Sequence, residues 1–156
     1  MNYWLMKSEP DTFSIDDLAG APGKTEAWDG VRNYQARNMM RDEMKKGDLV
    51  LFYHSSCKQP AIVGIAEVVK EGYPDTTAND PEGKHHDPKN DPDNPRWYMV
   101  DIRFVRKLKR NISLTELKQY RSLADMRLLA RGNRLSIMPV SKKHWEFILK
   151  QENKSC

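Results

Sequence analysis

The sequence predicts an α+β fold: one domain built on a sheet or small barrel decorated by helices. Three observations lead there. The chain has 156 residues, the usual size of a single domain and long enough to bury a core. Strand-like runs stand at its start, middle and end, separated by helices of differing length, which is not the regular alternation of a doubly wound parallel sheet. No internal repeat or linker divides it, so one domain is expected over residues 1–150, with 151–156 as a C-terminal tail.

Tyr3 to Lys7 is a short run of aromatic character and reads as the first strand. Ser14 with Asp17 resembles a capping box, placing a short helix from Ser14 to Leu18, and Gly20, Pro22 and Gly23 break it. Trp28-Asp29-Gly30 reads as a turn. From Asn33 to about Met44, Ala36, Met40 and Met44 recur every four residues as an apolar helical stripe. Leu49 to His54 and Ala61 to Val69 are two strands joined through Cys57 to Pro60. Gly64, inside the second, marks a bulge, a sharp bend or a close backbone approach.

Pro74 to Pro95 holds five of the nine prolines and reads as a long irregular loop, a kind of segment that is uncommon in compact domains and often functional. Val100, Ile102 and Phe104 alternate with Asp101 and Arg103 in a half-buried strand. Ser113 with Glu116 caps a helix to about Gln119. Leu123 to Ala130 reads as helical, Leu135 to Met138 as a strand, and Ser141 to Lys150 as a terminal helix burying Trp145, Ile148 and Leu149.

The chain is 38% hydrophobic and 31% charged, with a net charge of +4, which fits a globular domain with a heavily charged surface. Pro74 to Trp97 carries six acidic and three basic side chains, leaving the rest of the chain at +7. A basic body with one acidic loop permits a polyanionic partner. No apolar run approaches the roughly 20 residues needed to cross a bilayer, and Met1 to Pro10 lacks the pattern of a signal peptide. A cytoplasmic, monomeric protein without membrane contact is expected. Cys57 and Cys156 suit two free thiols in a reducing compartment rather than a disulfide or metal framework.

Polar and aromatic residues concentrate in four segments at element ends: Lys7 to Pro10, Trp28 to Asn33, Phe52 to Ser55 and Leu135 to Pro139. Such junctions are where sites are usually built. Each also has a plain structural explanation. Trp28 fits the rim of a core, His54 a strand end with a satisfied hydrogen bond, and Lys7 with Glu9 a surface ion pair. Arg37, Arg41 and Lys45 share one helix face, either a solvated face or a track for phosphates. Arg127, Arg131 and Arg134 form a second basic cluster with the same two readings. His85-His86-Asp87 lacks the spacing that fixes metal ligands, so no metal and no cofactor is expected.

Taken together, six strings resemble the EVE domain family. They are Tyr3 to Pro10 (YWLMKSEP), Trp28 to Asn38 (WDGVRNYQARN), Lys46 to Ser55 (KGDLVLFYHS), Val63 to Val68 (VGIAEV), Tyr73 to Asp75 (YPD) and Leu135 to Val140 (LSIMPV), in that order. The likeness runs from Tyr3 to about Leu149. It implies a PUA-like fold, a small bent β-barrel flanked by helices and related to the YTH domains. Met138 stands where many members of the family have glutamine.

The resemblance implies a module that reads a modified base in nucleic acid, a modified cytosine in DNA or a modified RNA base. Such a base must be swung out of its stack and held on an aromatic face, which contributes about 1–3 kcal/mol per base. By this analogy Trp28 supplies the face, with Tyr73 or Trp97 closing the other side. Ser8 and Asn33 offer donors and acceptors for the base edge, beside Lys7. Glu9, His54 and Ser55, placed by their motifs, contact the base or orient other groups. Arg32, Arg37, Arg41, Arg131 and Arg134 meet phosphates, and Lys7 is also placed to do so. This requires a concave slot beside Lys7–Glu9, walled by the indole of Trp28. Two other readings stand beside it: a hydrolase of modified nucleosides using Lys7, Glu9 and His54 as acid–base groups, and a protein-interaction module presenting the acidic loop.

Overall fold

The computed structural model describes residues 1–133 and 135–153. Arg134 and Cys156 lie outside the described residues. The fold is α+β, built on one six-stranded sheet. Its strands are β1 (Tyr3–Ser8), β2 (Thr25–Ala27), β3 (Leu49–His54), β4 (Ala61–Pro74), β5 (Tyr98–Ser113) and β6 (Ile137–Val140), in the order β2-β5-β4-β3-β1-β6. Among the described residues only β1 and β3 run parallel, and their register sets Ser8 beside His54 and Lys7 beside Tyr53. β2 and β6 are the edges, so the sheet does not close and the barrel is a loose description.

The side-chain period of two divides the interior. Trp4, Met6, Val50, Phe52, Val100 and Ile102 face one core. Leu5, Leu51, Tyr53, Ile62, Ile112 and Met138 face the other. The helices α1 (Ile15–Gly20) and α2 (Tyr34–Asn38) cover the first, and α4 (Lys142–Gln151) packs Trp145 and Ile148 into the second. The short α3 (Leu114–Leu117) adds Leu117 there.

Several local expectations hold with sharper outlines. Ser14 and Asp17 form a reciprocal capping box at α1. Gly64 sits at shifts in the pairing of β4 with both neighbours, and a Cβ there would lie 2.7 Å from Ile15 Cδ1 and 3.0 Å from the Arg106 carbonyl. The sequence thus marked both a bulge and a close approach. Asp48, only 3% exposed, accepts from the Asn2 and Lys45 backbone N–H groups and from Trp4 Nε1, which ties the start of β1 to the turn before β3.

Other expectations are corrected. The stripe Ala36, Met40 and Met44 is fully buried, but the α-helix stops at Asn38 and continues as a wider turn over Met39–Glu43, closed by Met44 N–H to the Met39 carbonyl. The β4 backbone passes close beside it, since a Cβ on Gly72 would come 2.4 Å from the Met40 carbonyl. Leu123 to Ala130 forms two single 3-10 turns, Arg121–Leu123 and Arg127–Leu129, rather than a helix. Both bury a leucine, and that apolarity mimicked a helical face. β4 and β5 outrun the predicted strands because their far ends pair with each other. β2 was not foreseen. In α4, Leu149 is only half-buried, whereas His144 and Gln151 are buried.

Candidate nucleic-acid interface

β2 pairs with β5 through Ala27, and the Trp28 N–H extends that ladder by donating to the Val100 carbonyl at 2.8 Å. Glu26 lies opposite Ile102. Glu26 and Trp28 are therefore two residues apart on the face that Val100 and Ile102 present to the first core. The indole meets Phe52 edge-on, with centroids 5.7 Å apart at 86°, and Phe13 at 6.3 Å and 81°. Such edge-to-face contacts are favourable for aromatic quadrupoles and fix ring orientation. The ring is half-buried, and beside it opens a cleft of about 320 Å³, within the range of small-ligand sites, about 300–1,000 Å³.

Three walls complete the cleft. Ser8, Thr12 and Phe13 come from the end of β1 and the turn after it, where the Glu9 carbonyl accepts from the N–H groups of Thr12 and Phe13. Ser8 Oγ donates to the Phe13 carbonyl, which leaves its lone pairs as acceptors. Glu26, Ala27 and Asp29 form the second wall. Lys84 and His85, from the acidic loop, form the third.

That loop is clamped to the segment after Trp28. Asp75, 3% exposed, accepts from Gly30 N–H at 2.8 Å and from Arg32 Nη1 at 3.1 Å through one oxygen, and from Thr77 through the other. Burial alone would raise its carboxyl, but the hydrogen bonds from Thr77, Gly30 and Arg32 outweigh this and hold it below the usual range. Arg32 also donates to the His85 carbonyl and lies over the Trp97 ring. Gly30 has φ 79°, and a Cβ there would fall 2.5 Å from the His85 ring. His85 Nε2 lies 3.7 Å from Asp29 Oδ1.

Glu26 is half-buried and its carboxyl is pushed above the ordinary glutamate range. Burial is the first cause and the charge on Asp29 the second, against a hydrogen bond from the Ala27 N–H. Among the described residues it has no side-chain partner.

Of the residues singled out from the sequence, Ser8 and Trp28 line this cleft. Lys7 points from the opposite face of β1 and is half-buried, and desolvation lowers its ammonium pKa. Glu9 is exposed at the turn. Asn33 caps α2, its side-chain oxygen accepting from Ala36 N–H at 2.9 Å, and lines a neighbouring concavity with Arg127 and Asn133. His54 Nε2 accepts from Ile15 N–H at 3.1 Å, pinning the start of α1 to β3. Ser55 N–H donates to the Ser8 carbonyl. Tyr73 donates to Asp101 under Lys70. Trp97 is buried, stacks on Tyr34 and donates to Asp87. Neither of these two rings lines the cleft, and Phe13 is the aromatic neighbour that Trp28 has there.

Three of the arginines assigned to phosphate, Arg32, Arg37 and Arg41, have other partners. Arg32 holds the loop as described. Arg37 donates to Asn38 Oδ1 and the Arg96 carbonyl, and Arg41 makes two bonds to Asp42. Arg131 is exposed and has no partner among the described residues. Thr12, Phe13, Glu26, Ala27, Lys84 and His85 were not singled out for the site, and Asp29 entered only within the Trp28–Asn33 segment. Only Glu26 carried a usable signal, its spacing of two from Trp28, which required seeing β2. Met138 is wholly buried in the second core, facing away from the cleft. Among the described residues no three His, Cys, Asp or Glu side chains are placed to share a metal ion, and no helix is long and apolar enough to cross a membrane.

Comparison with known proteins places these features in context. Residues 2–151 match the family model described as the EVE domain. The chain is 49% identical over 168 aligned positions to thymocyte nuclear protein 1 of Rattus norvegicus, covering 97% of this chain and 74% of that protein. It superposes on a crystal structure of human THYN1 protein in complex with DNA containing 5-methylcytosine with a TM-score of 0.96, at 46% identity and with 100% of both chains covered. A YTH domain of Zygosaccharomyces rouxii in complex with N6-methyladenosine RNA shares the fold at a TM-score of 0.57 and 13% identity, covering 99% of this chain and 86% of that one.

Proposed function

This chain belongs to the EVE domain family, and on that premise we propose that it is a nucleic-acid-binding module that reads a modified base, a modified cytosine in DNA, extruded into the cleft beside Trp28. The observation that carries the reading is the indole itself. Phe13 and Phe52 fix its orientation through T-shaped contacts, and it lines a cleft of about 320 Å³. An extruded base needs a fixed aromatic face of this kind, and stacking on it contributes about 1–3 kcal/mol. The likeness to a relative captured with 5-methylcytosine DNA supports the choice of base. Binding rather than catalysis is part of the proposal. It is supported by the structural task of His54, whose Nε2 accepts from the Ile15 N–H and pins the start of α1. The proposal carries with it a cytoplasmic monomer that needs no metal or cofactor.

The test is equilibrium binding to one duplex carrying a single 5-methylcytosine and to the same duplex with cytosine. The protein is expected to prefer the methylated duplex, and Trp28→Ala to abolish that preference while the variant keeps its melting behaviour. Equal affinity of the unaltered protein for both duplexes overturns the reading.

A further inference from the structure

The cleft contains a carboxylate with no evident structural task. Glu26 shares the Trp28 face of the sheet, two residues before the indole, and lines the same cleft. Asp29, the other acid there, is exposed and stands 3.7 Å from His85. Glu26 is half-buried and takes only the Ala27 N–H. The other polar atom whose state is fixed at the cleft is Ser8 Oγ, whose proton goes to the Phe13 carbonyl. Both groups therefore offer acceptors to whatever enters.

Bases differ on the edge that such a cleft would inspect. Cytosine presents an amino group at C4, a donor, which carboxylates accept in protein–DNA interfaces. Thymine presents a carbonyl at the same place. A carbonyl set against a carboxylate leaves two desolvated acceptors without a donor, and sites built to hydrogen-bond a group reject the analogue that lacks it.

We infer that Glu26 is the specificity-determining residue of the cleft, accepting a hydrogen bond from the exocyclic amine of the extruded base and thereby excluding thymine, which carries the same 5-methyl group as 5-methylcytosine but an oxo group in place of the amine. This rests on the reader function proposed above and adds the chemical class of base admitted: an amino-bearing pyrimidine.

The experiment uses three duplexes that differ at one position, which holds 5-methylcytosine, cytosine or thymine opposite an abasic site, so that none of the three has a pairing partner to lose. The unaltered protein is expected to bind 5-methylcytosine about tenfold or more tightly than thymine, the lower part of the range for one good base-edge contact. Glu26→Gln puts an amide donor where thymine has its carbonyl and should bring that ratio to within about threefold. A thermal melt confirms that the variant is folded; if it is not, Glu26→Asp, which shortens the reach, is read the same way. A ratio unchanged in the folded variant, or no discrimination against thymine by the unaltered protein, overturns the role of Glu26. Failure of the unaltered protein to separate 5-methylcytosine from cytosine instead removes the reader function, and this inference with it.

Discussion

Arg32 Nη1 lies 3.1 Å from Asp75 Oδ2, and the same guanidinium grips the carbonyl of His85. Arg32 thus ties the segment after Trp28 to the start and the middle of a loop that supplies a wall of the cleft. The Asp75 side chain is fully buried and that of Arg32 is 25% exposed. Removing one partner of a buried pair costs about 3–5 kcal/mol, and partial exposure of Arg32 brings the figure toward about 2–3. Asp75→Asn is therefore expected to lower the unfolding free energy by about that amount, measured in denaturant. Limited proteolysis should show new cleavage between residues 80 and 96, and preference for 5-methylcytosine DNA should fall.

The two kinds of arginine should separate by salt. Arg131 is exposed and free of partners among the described residues, so it is available to a phosphate. Arg131→Ala is expected to weaken binding to methylated and plain duplexes alike and to reduce the slope of log K against log salt by about 1. Arg32→Ala, whose guanidinium is turned inward onto Asp75, the His85 carbonyl and Trp97, should leave the slope nearly unchanged and reduce the preference between the two duplexes. A reversed pattern would return Arg32 to the phosphate contacts.

What the sequence disclosed follows from how local each signal is. The Ser14–Asp17 box is set by neighbours in the chain and stands where its pattern placed it, and the stripe Ala36, Met40 and Met44 is buried as its spacing indicates although the α-helix ends at Asn38. The length of β5 and the existence of β2 depend on pairing with distant segments, and Thr25-Glu26-Ala27 has no pattern of its own. The cleft divides the same way. Ser8 and Trp28 sit in family motifs, whereas Lys84 and His85 reach it only because Asp75 and Arg32 fold the loop back. Tyr73 and Trp97 were plausible second rings by type, yet their polar atoms are committed to Asp101 and Asp87. Phe13 went unnoticed because the turn at Glu9 is what brings it against the indole.

Gly30 and Gly47 both have positive φ, 79° and 95°, but only Gly30 has a neighbour in the space a Cβ would take, the His85 ring. Alanine at either position carries the left-handed backbone penalty of about 1–2 kcal/mol. Gly30→Ala should in addition displace His85 and open the wall of the cleft. Both variants are expected to melt earlier, Gly30→Ala by at least as much as Gly47→Ala, with loss of 5-methylcytosine preference confined to Gly30→Ala. Equal binding by the two would mean that His85 contributes nothing to the cleft.

The His54 bond sets a pH dependence. Nε2 can accept from Ile15 N–H only in the neutral ring. Burial lowers the His54 pKa below its ordinary value, and the weaker pull of Asp16 in the other direction does not reverse this. The unfolded chain takes up a proton near pH 6.5, whereas the folded state resists it to lower pH. Just below 6.5 the unfolded state therefore holds more protons, and by linkage this part of the stability is complete above 6.5 and is lost as pH falls toward the folded pKa. Asp75, also held low, acts with the same sign but only around and below pH 4. Denaturant unfolding at pH 7.5, 6.5, 5.5 and 5.0 should show stability declining across about 6.5 to 5. His54→Gln supplies a non-titrating acceptor, so it should be less stable by about 1 kcal/mol at pH 7.5 and show a flatter profile in that window. An equal slope in the variant would assign the decline to other groups and leave the Ile15 contact without energetic weight.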